Sequence, residues 1–512
     1  MAFVLLVAIQ IVARPLLPID ETRYLDVAWE MRLSGDLFHL TRNFDLYTHK
    51  PPLLFWLINL VWLGTGVNEF AARAVAPAFA VLALWMTGRL ARRFWPEDRG
   101  IAARAALALG GFSVFAVYGS ATMFDTMLTV ATLGGMATLW RIGSAPAEGR
   151  FRGAGAWALL GLWLALGVYA KGPVILVHLA LPLVTMRLWA AAPPAIGALL
   201  RGTGIAVLVA LALVALWLVP ALLGGTAAYR HELLWTQSAA RVAGGLAHDR
   251  PVWFLVALLP LMLFPWAWTL RLWPALAAVV RERGAARLCL IWAGAGLALF
   301  SLISGKQAHY LMPEFPAVAL LVARAFGREG MAGRVLSLAP LLPVATGIAL
   351  LAVALGAVPP RGEVALLVPA PAVIGVAVLA FALAALAWMV RGMVGVAIAG
   401  AGFVVALSAL VPFTDLGRGY DARAIAARLA EAAPGGLAVV GMPYNAEFNF
   451  AARLVEPVET PPVAKIADWA AAHPAGLVFG PVGALQATPA ARARYNGITY
   501  GFWPAPSLAG GS

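Results

Sequence analysis

Two short stretches crowd acids and bases into a chain that is otherwise 62% hydrophobic and only 12% charged. Residues 16–24 read Leu-Leu-Pro-Ile-Asp-Glu-Thr-Arg-Tyr, and residues 47–52 read Tyr-Thr-His-Lys-Pro-Pro. Asp20, Glu21, Arg23, His49 and Lys50 are not needed for membrane insertion, and ionisable groups near a bilayer are costly unless they work. Lysine usage points to the kind of work. The 37 basic residues include four lysines, Lys50, Lys171, Lys306 and Lys465. Arginine serves elsewhere, and lysine is kept where a compact ammonium is wanted. Clustered Lys, Arg and Tyr donors hold phosphate oxygens by charge-assisted hydrogen bonds.

The elements that must position these groups are apolar runs of roughly 20 residues, the length that crosses a bilayer core. Thirteen such runs are expected: 2–17, 69–88, 101–119, 125–141, 154–170, 173–190, 203–223, 251–270, 286–303, 311–326, 335–357, 364–390 and 393–412. Residues 52–65 form a shorter apolar piece leading into the second. Residues 2–17 lack a basic leader and a small-residue cleavage site, so they read as a retained span. The arginine clusters 89/92/93/99/104, 141/150/152, 271/281/283/287 and 324/328/334 fall between spans on one side, as the positive-inside rule expects. That explains most of the net charge of +13 without nucleic acid. The lone Cys289 excludes an internal disulfide and a cysteine metal cage.

With these clusters inside, the outward segments are the loop 18–51, the turn Ser120–Asp125, the turn Lys171-Gly172-Pro173, the loop 224–250 with Arg230, His231, Glu232 and Arg241, and Ser304–Pro313. Three of the four lysines lie there, against the bias for basic residues. Within the first loop an amphipathic helix is expected over Glu21–Leu33, suited to lying in the interface and stopped by Gly35. From Asp415 the composition changes. Helices are expected at 421–432 and 463–473, with strand-like runs at 437–442 and 477–479. The expected architecture is an all-α polytopic membrane domain over 1–412 and a small α/β domain over 413–512 on the outer side.

The order Asp20-Glu21-Thr-Arg23-Tyr24, Gly35-Asp36, Tyr47-x-x-Lys50-Pro51-Pro52 resembles the aminoarabinose transferase branch of the protein O-mannosyltransferase superfamily. Phe124-Asp125-Thr, Ala170-Lys171-Gly172-Pro173 and Lys306-x-x-x-Tyr310-Leu-x-Pro313 follow in the same order. The resemblance covers about residues 15–320 and is most specific in the first loop. It implies a GT-C-type glycosyltransferase with a thirteen-helix core, an outward C-terminal domain and a polyprenyl-phosphate sugar donor. It further implies transfer of a pentose such as 4-amino-4-deoxy-L-arabinose from undecaprenyl phosphate to lipid A on the periplasmic face of a bacterial inner membrane.

Carried over by position, Asp20 is the catalytic carboxylate and Asp125 the second acid. Arg23, Lys50, Lys306, Tyr310 and Arg241 hold the donor phosphate, supported by Glu21, Tyr24 and Lys171. Where the family often has Glu before the first-loop lysine, this chain has His49, a possible ligand for a divalent metal beside the phosphate. Plainer roles stand beside these. Asp20 and Asp125 each precede a helix that an Asp can cap, Glu21 suits a helix dipole, and Lys50 and Arg23 can snorkel. Lys171 can satisfy carbonyls at a helix end, and Tyr310 can be a belt residue. A transporter would show repeated halves and charges at mid-membrane, and the sequence shows neither.

Overall fold

The computed structural model describes residues 2–144, 153–236, 250–328, 331 and 336–509. Six apolar stretches among them are long enough to cross a membrane: Glu69–Phe94, Ala154–Val184, Ile196–Gly224, Ala285–Leu302, Ala370–Met389 and Gly392–Phe413. Helices Ile101–Gly111 and Ser113–Gly119, bent by 74° at Phe112, make a seventh when taken as one span. The chain is a multi-pass membrane protein. Its thirteen apolar runs do not all become unbroken spanning helices. The first gives α1 (Ala2–Ala13), and the eleventh gives only Leu341–Ala354. The eighth yields Phe254–Met262 before Pro265, which lacks a backbone donor, interrupts the ladder.

The element that organises the site is a helix at Asp125–Ser144, buried along most of its length. Counting in chain order, α2 is Asp20–Ser34, α3 is Leu53–Thr65 and α4 is Glu69–Phe94. The bent pair is α5 and α6, the buried helix is α7, and Ala154–Lys171 and Ile175–Val184 are α8 and α9. Adjacent glycines on α7 admit its two neighbours. A Cβ on Gly134 would lie 2.3 Å from the Trp163 ring of α8, and one on Gly135 2.6 Å from Leu179 of α9. Small residues let helix backbones approach closely in this way. α8 runs antiparallel to α7 and brings Lys171 to Asp125. After the turn at Gly172 (φ +79°) α9 runs back, so that Trp189 stacks on Trp140 with centroids 6.1 Å apart.

α2 ends at Gly35 (φ +70°), whose N–H reaches the Met31 carbonyl. It does not lie as a one-sided interfacial helix, as its amphipathic pattern suggested. Glu21, Tyr24, Leu25, Asp26, Ala28, Glu30 and Met31 are all buried, because α3, a small hairpin and the C-terminal domain cover it on several sides. The hairpin pairs β1 (Thr41–Arg42) with β2 (Asp45–Leu46) through Asn43 and Phe44, both at positive φ. The C-terminal domain carries one four-stranded sheet. β3 (Leu437–Val439) runs parallel to β4 (Leu477–Pro481), followed by antiparallel β6 (Ile498–Pro504) and β5 (Ala491–Tyr495). It grips the first loop. Trp29 Nε1 donates to the Leu454 carbonyl (2.8 Å), the Asn43 side chain pairs with both N–H and C=O of Val458, and Trp62 stacks on Phe450.

Beneath that contact, the Asp26 and Glu30 carboxylates accept the N–H groups of Asn43 and Phe44 (3.2 and 3.0 Å) and so hold the hairpin turn. Burial lifts the pKa of both carboxyls, and the Glu30 charge adds to the rise at Asp26. A carboxyl whose pKa rises on folding stabilises the fold below its unfolded value, near 4, and loses that contribution as pH climbs through the folded value. Asp26→Asn keeps an acceptor and removes one charge. The variant should therefore gain thermal midpoint over the parent, by about 2 °C or more, with the gain growing as pH rises above about 4. A gain that does not change with pH would contradict the assignment.

Candidate active site

α2 opens on Ile19 with no side-chain cap, so Asp20 is not spent on helix N–H groups. Its Oδ1 instead accepts from the Arg23 guanidinium and from Tyr24 Oη (3.0 Å). The Asp20 side chain stays 43% exposed, which leaves it reachable. One residue on, Glu21 does something different. It pairs with Arg14 at the end of α1 and accepts from the N–H groups of Leu17 (2.8 Å) and Thr122 (2.7 Å). Burial alone would raise its pKa, but Arg14, Arg73 and these bonds hold it at about 2. Glu21 is a strut that ties the start of α2 to α1 and to the turn before α7.

That turn delivers Asp125. Its carboxylate is 2% exposed and accepts from Lys171 Nζ at 2.5 Å, while Lys171 is 12% exposed and lies 4.6 Å from the centroid of the Tyr310 ring. Lys50 Nζ stands over the rings of Tyr24 (5.9 Å) and Phe124 (5.6 Å), the residue next to Asp125. Between these groups sits His309. Its ring meets Tyr118 (5.2 Å) and Tyr310 (4.9 Å). Burial pushes its pKa down to about 4; Asp125 and Asp20 oppose the fall, and Lys171 and Lys50 favour it. The imidazole is neutral at neutral pH. Four charged side chains from three separate outward segments thus act on one ring.

One described residue expected here is engaged elsewhere. The Lys306 ammonium is buried and donates to the carbonyls of Ser301 (2.7 Å) and Pro251 (3.2 Å), at the end of the helix Ala285–Leu302. Arg241 lies outside the described residues. His49 packs against Tyr47 (5.1 Å), and its pKa is lowered by burial and then by the charges of Arg42 and Arg23. Arg42, Arg23 and Lys50 act on it as cations, with the Glu232 carboxylate opposing them. Among the described residues no three His, Cys, Asp or Glu side chains come together as a metal site.

Residues 2–234 match the family described as dolichyl-phosphate-mannose-protein mannosyltransferase. An undecaprenyl phosphate-alpha-4-amino-4-deoxy-L-arabinose arabinosyl transferase of Pseudomonas fluorescens is 31% identical over 329 residues, 63% of this chain and 56% of that protein. The transferase of the same description from Edwardsiella ictaluri is 30% identical over 360 residues, 68% of this chain and 63% of that protein. The chain therefore spans less than two thirds of the length of these relatives. The crystal structure of ArnT from Cupriavidus metallidurans bound to undecaprenyl phosphate superposes with a TM-score of 0.77, at 20% identity, over 100% of this chain and 98% of that one. These similarities support the aminoarabinose transferase-like branch of the protein O-mannosyltransferase superfamily. The fold likeness includes the C-terminal domain, which the family match does not reach.

Sequence reasoning missed Arg14, the partner of Glu21, and the buried contact of His178 Nδ1 with Glu314 Oε1 at 2.5 Å. Arg14 closes an otherwise apolar run, and His178 and Glu314 interrupt two others, so each was visible as a lone exception. His309, within the outward Ser304–Pro313 segment, packs against Tyr118 and Tyr310 beside the charged groups of the site. The Asp125–Lys171 pair is the test of this geometry. Lys171→Met leaves a buried carboxylate unpaired and should cost about 3–5 kcal/mol. The double variant with Asp125→Asn should recover part of that loss. Additive losses in thermal melts would mean that the two side chains do not interact.

Proposed function

We propose that the chain transfers a sugar from an undecaprenyl-phosphate-type carrier to an envelope acceptor. In this reading the sugar is 4-amino-4-deoxy-L-arabinose and the acceptor is lipid A. One observation carries the reading: Asp20, Asp125, Lys50 and Lys171, distant in sequence, share one electrostatic neighbourhood around His309. The names of the relatives supply the sugar and the carrier.

The chemistry needs three things from the protein. The donor phosphate must be gripped, and Arg23, Lys50 and Lys171 are the cations gathered around Asp20 and Asp125. The acceptor oxygen must be aimed at the anomeric carbon, and Asp20, the more open acid, is placed to orient it and to take its proton where it carries one. Charge must be stabilised as it develops. The bond from the anomeric carbon to the phosphate oxygen breaks with its electron pair on that oxygen, the new bond forms on the opposite face, and configuration inverts. Preorganised cations stabilise the departing polyprenyl phosphate. Asp125 holds the Lys171 ammonium in place, and Tyr24 fixes the Asp20 carboxylate. The site end faces the periplasm in this proposal, because the opposite end carries Arg89, Arg93, Arg141, Arg324 and Arg328, as a cytoplasmic face does.

Purified protein and a labelled lipid-phosphate sugar test this directly. Asp20→Asn should lower kcat by about 10²–10⁴-fold with donor binding retained. Lys50→Ala should raise the donor KM. Transfer at the parent rate by Asp20→Asn would refute the role of that carboxylate.

A further inference from the structure

The groups used above lie at one end of the bundle. At the other end α4, α7 and α8 enclose a cavity of about 200 Å³. Arg89 and Arg93 of α4 and Arg141 of α7 converge on it, over an apolar lining that includes Leu133 and Trp163. Among the described residues no carboxylate lines it. Arg93 feels the like charges of Arg141 and Arg89. Trp85, 57% exposed, forms part of the wall, and the Arg89 guanidinium lies 5.2 Å from its ring centroid. Since α4 rises about 1.5 Å per residue, Arg89 is roughly 30 Å along the helix from Glu69 at the site end.

Topology alone asks only that arginines lie near this face. It does not ask them to meet in one cavity and repel one another. Three further arginines at this end are ion-paired: Arg104 with Asp98, Arg324 with Glu97 and Glu282, and Arg328 with Glu282. Among the described residues Arg89 and Arg93 form no ion pair, and those acids are engaged elsewhere. Guanidinium groups bind phosphate oxygens in a bidentate fork, and basic pockets between spanning helices take up anionic lipid headgroups.

We propose that this cavity is a binding site for an anionic phospholipid. Arg89, Arg93 and Arg141 hold its phosphodiester, and its acyl chains run past Trp85 along the apolar wall. The site is separate from the transfer chemistry and stands whether or not that reading holds.

Native mass spectrometry of the full-length protein released from detergent tests it. The arms are phosphatidylglycerol, phosphatidylcholine and inorganic phosphate at equal concentration. The parent should retain phosphatidylglycerol over phosphatidylcholine, and Arg89→Gln/Arg93→Gln should lose that adduct by about tenfold or more. Arg201→Gln, which changes an exposed arginine bonded to its own helix, should retain it. If the double variant does not fold, Arg93→Gln alone is read in the same way. Equal retention by parent and variant, no preference for the anionic lipid, or uptake of inorganic phosphate in its place would each overturn the proposal.

Discussion

A charge taken out of water must meet an opposite charge or a set of hydrogen bonds, and in this chain that constraint builds the site. Asp125, at the first turn of a helix buried along most of its length, is tolerable because Lys171 reaches it from the turn between α8 and α9. Glu21 is tolerable because Arg14 and two backbone N–H groups meet it. Lys171 reaches Asp125 across 46 residues and Glu21 reaches the Thr122 N–H across 101, so satisfying these acids also sets where α1, α2, α7 and α8 end relative to one another. Asp20 inherits its position from this arrangement. Its neighbour Glu21 is locked, which leaves Asp20 at the rim with Arg23 and Tyr24 as its partners.

The C-terminal domain adds a second layer of positioning. It touches the back of α2 through Trp29 and Asn43, and the sheet stands behind that contact with its own core of Phe448, Phe479, Tyr495 and Tyr500. A helix that begins with Asp20 is thereby clamped at its far end. The two buried acids under the clamp, Asp26 and Glu30, make that grip depend on their protons. The loop is thus a positioned element, and its hairpin tolerates Phe44 at positive φ because Glu30 holds the Phe44 N–H.

Several of these features were legible in the sequence for physical reasons. Scarce lysines marked the outward turns, Gly35 marked the end of α2, and the Tyr24-to-Lys50 spacing marked the loop. Other features depended on packing that a periodic pattern does not carry. Helix α2 looked one-sided because its buried acids count as polar, although tertiary partners satisfy them. Lys306 has the spacing of a site residue, yet its ammonium is taken by two carbonyls at a helix end. Long hydropathy windows merge helices that prolines and glycines bend or interrupt, so the spans read more regular than they are. The β5–β6 hairpin was missed despite its signal. Asn496-Gly497 takes φ values of 50° and 76°, the turn that two twisted strands favour.

The central claim is that one pocket at the site end grips a lipid-linked anion between the two acids. The most direct measurement is an experimental structure of this protein with undecaprenyl phosphate bound. The account predicts the phosphorus within about 4–5 Å of the Lys50 ammonium and the Arg23 guanidinium, on the side facing Asp20. Density for the headgroup elsewhere on the protein, with Lys50 and Arg23 unengaged, would contradict it.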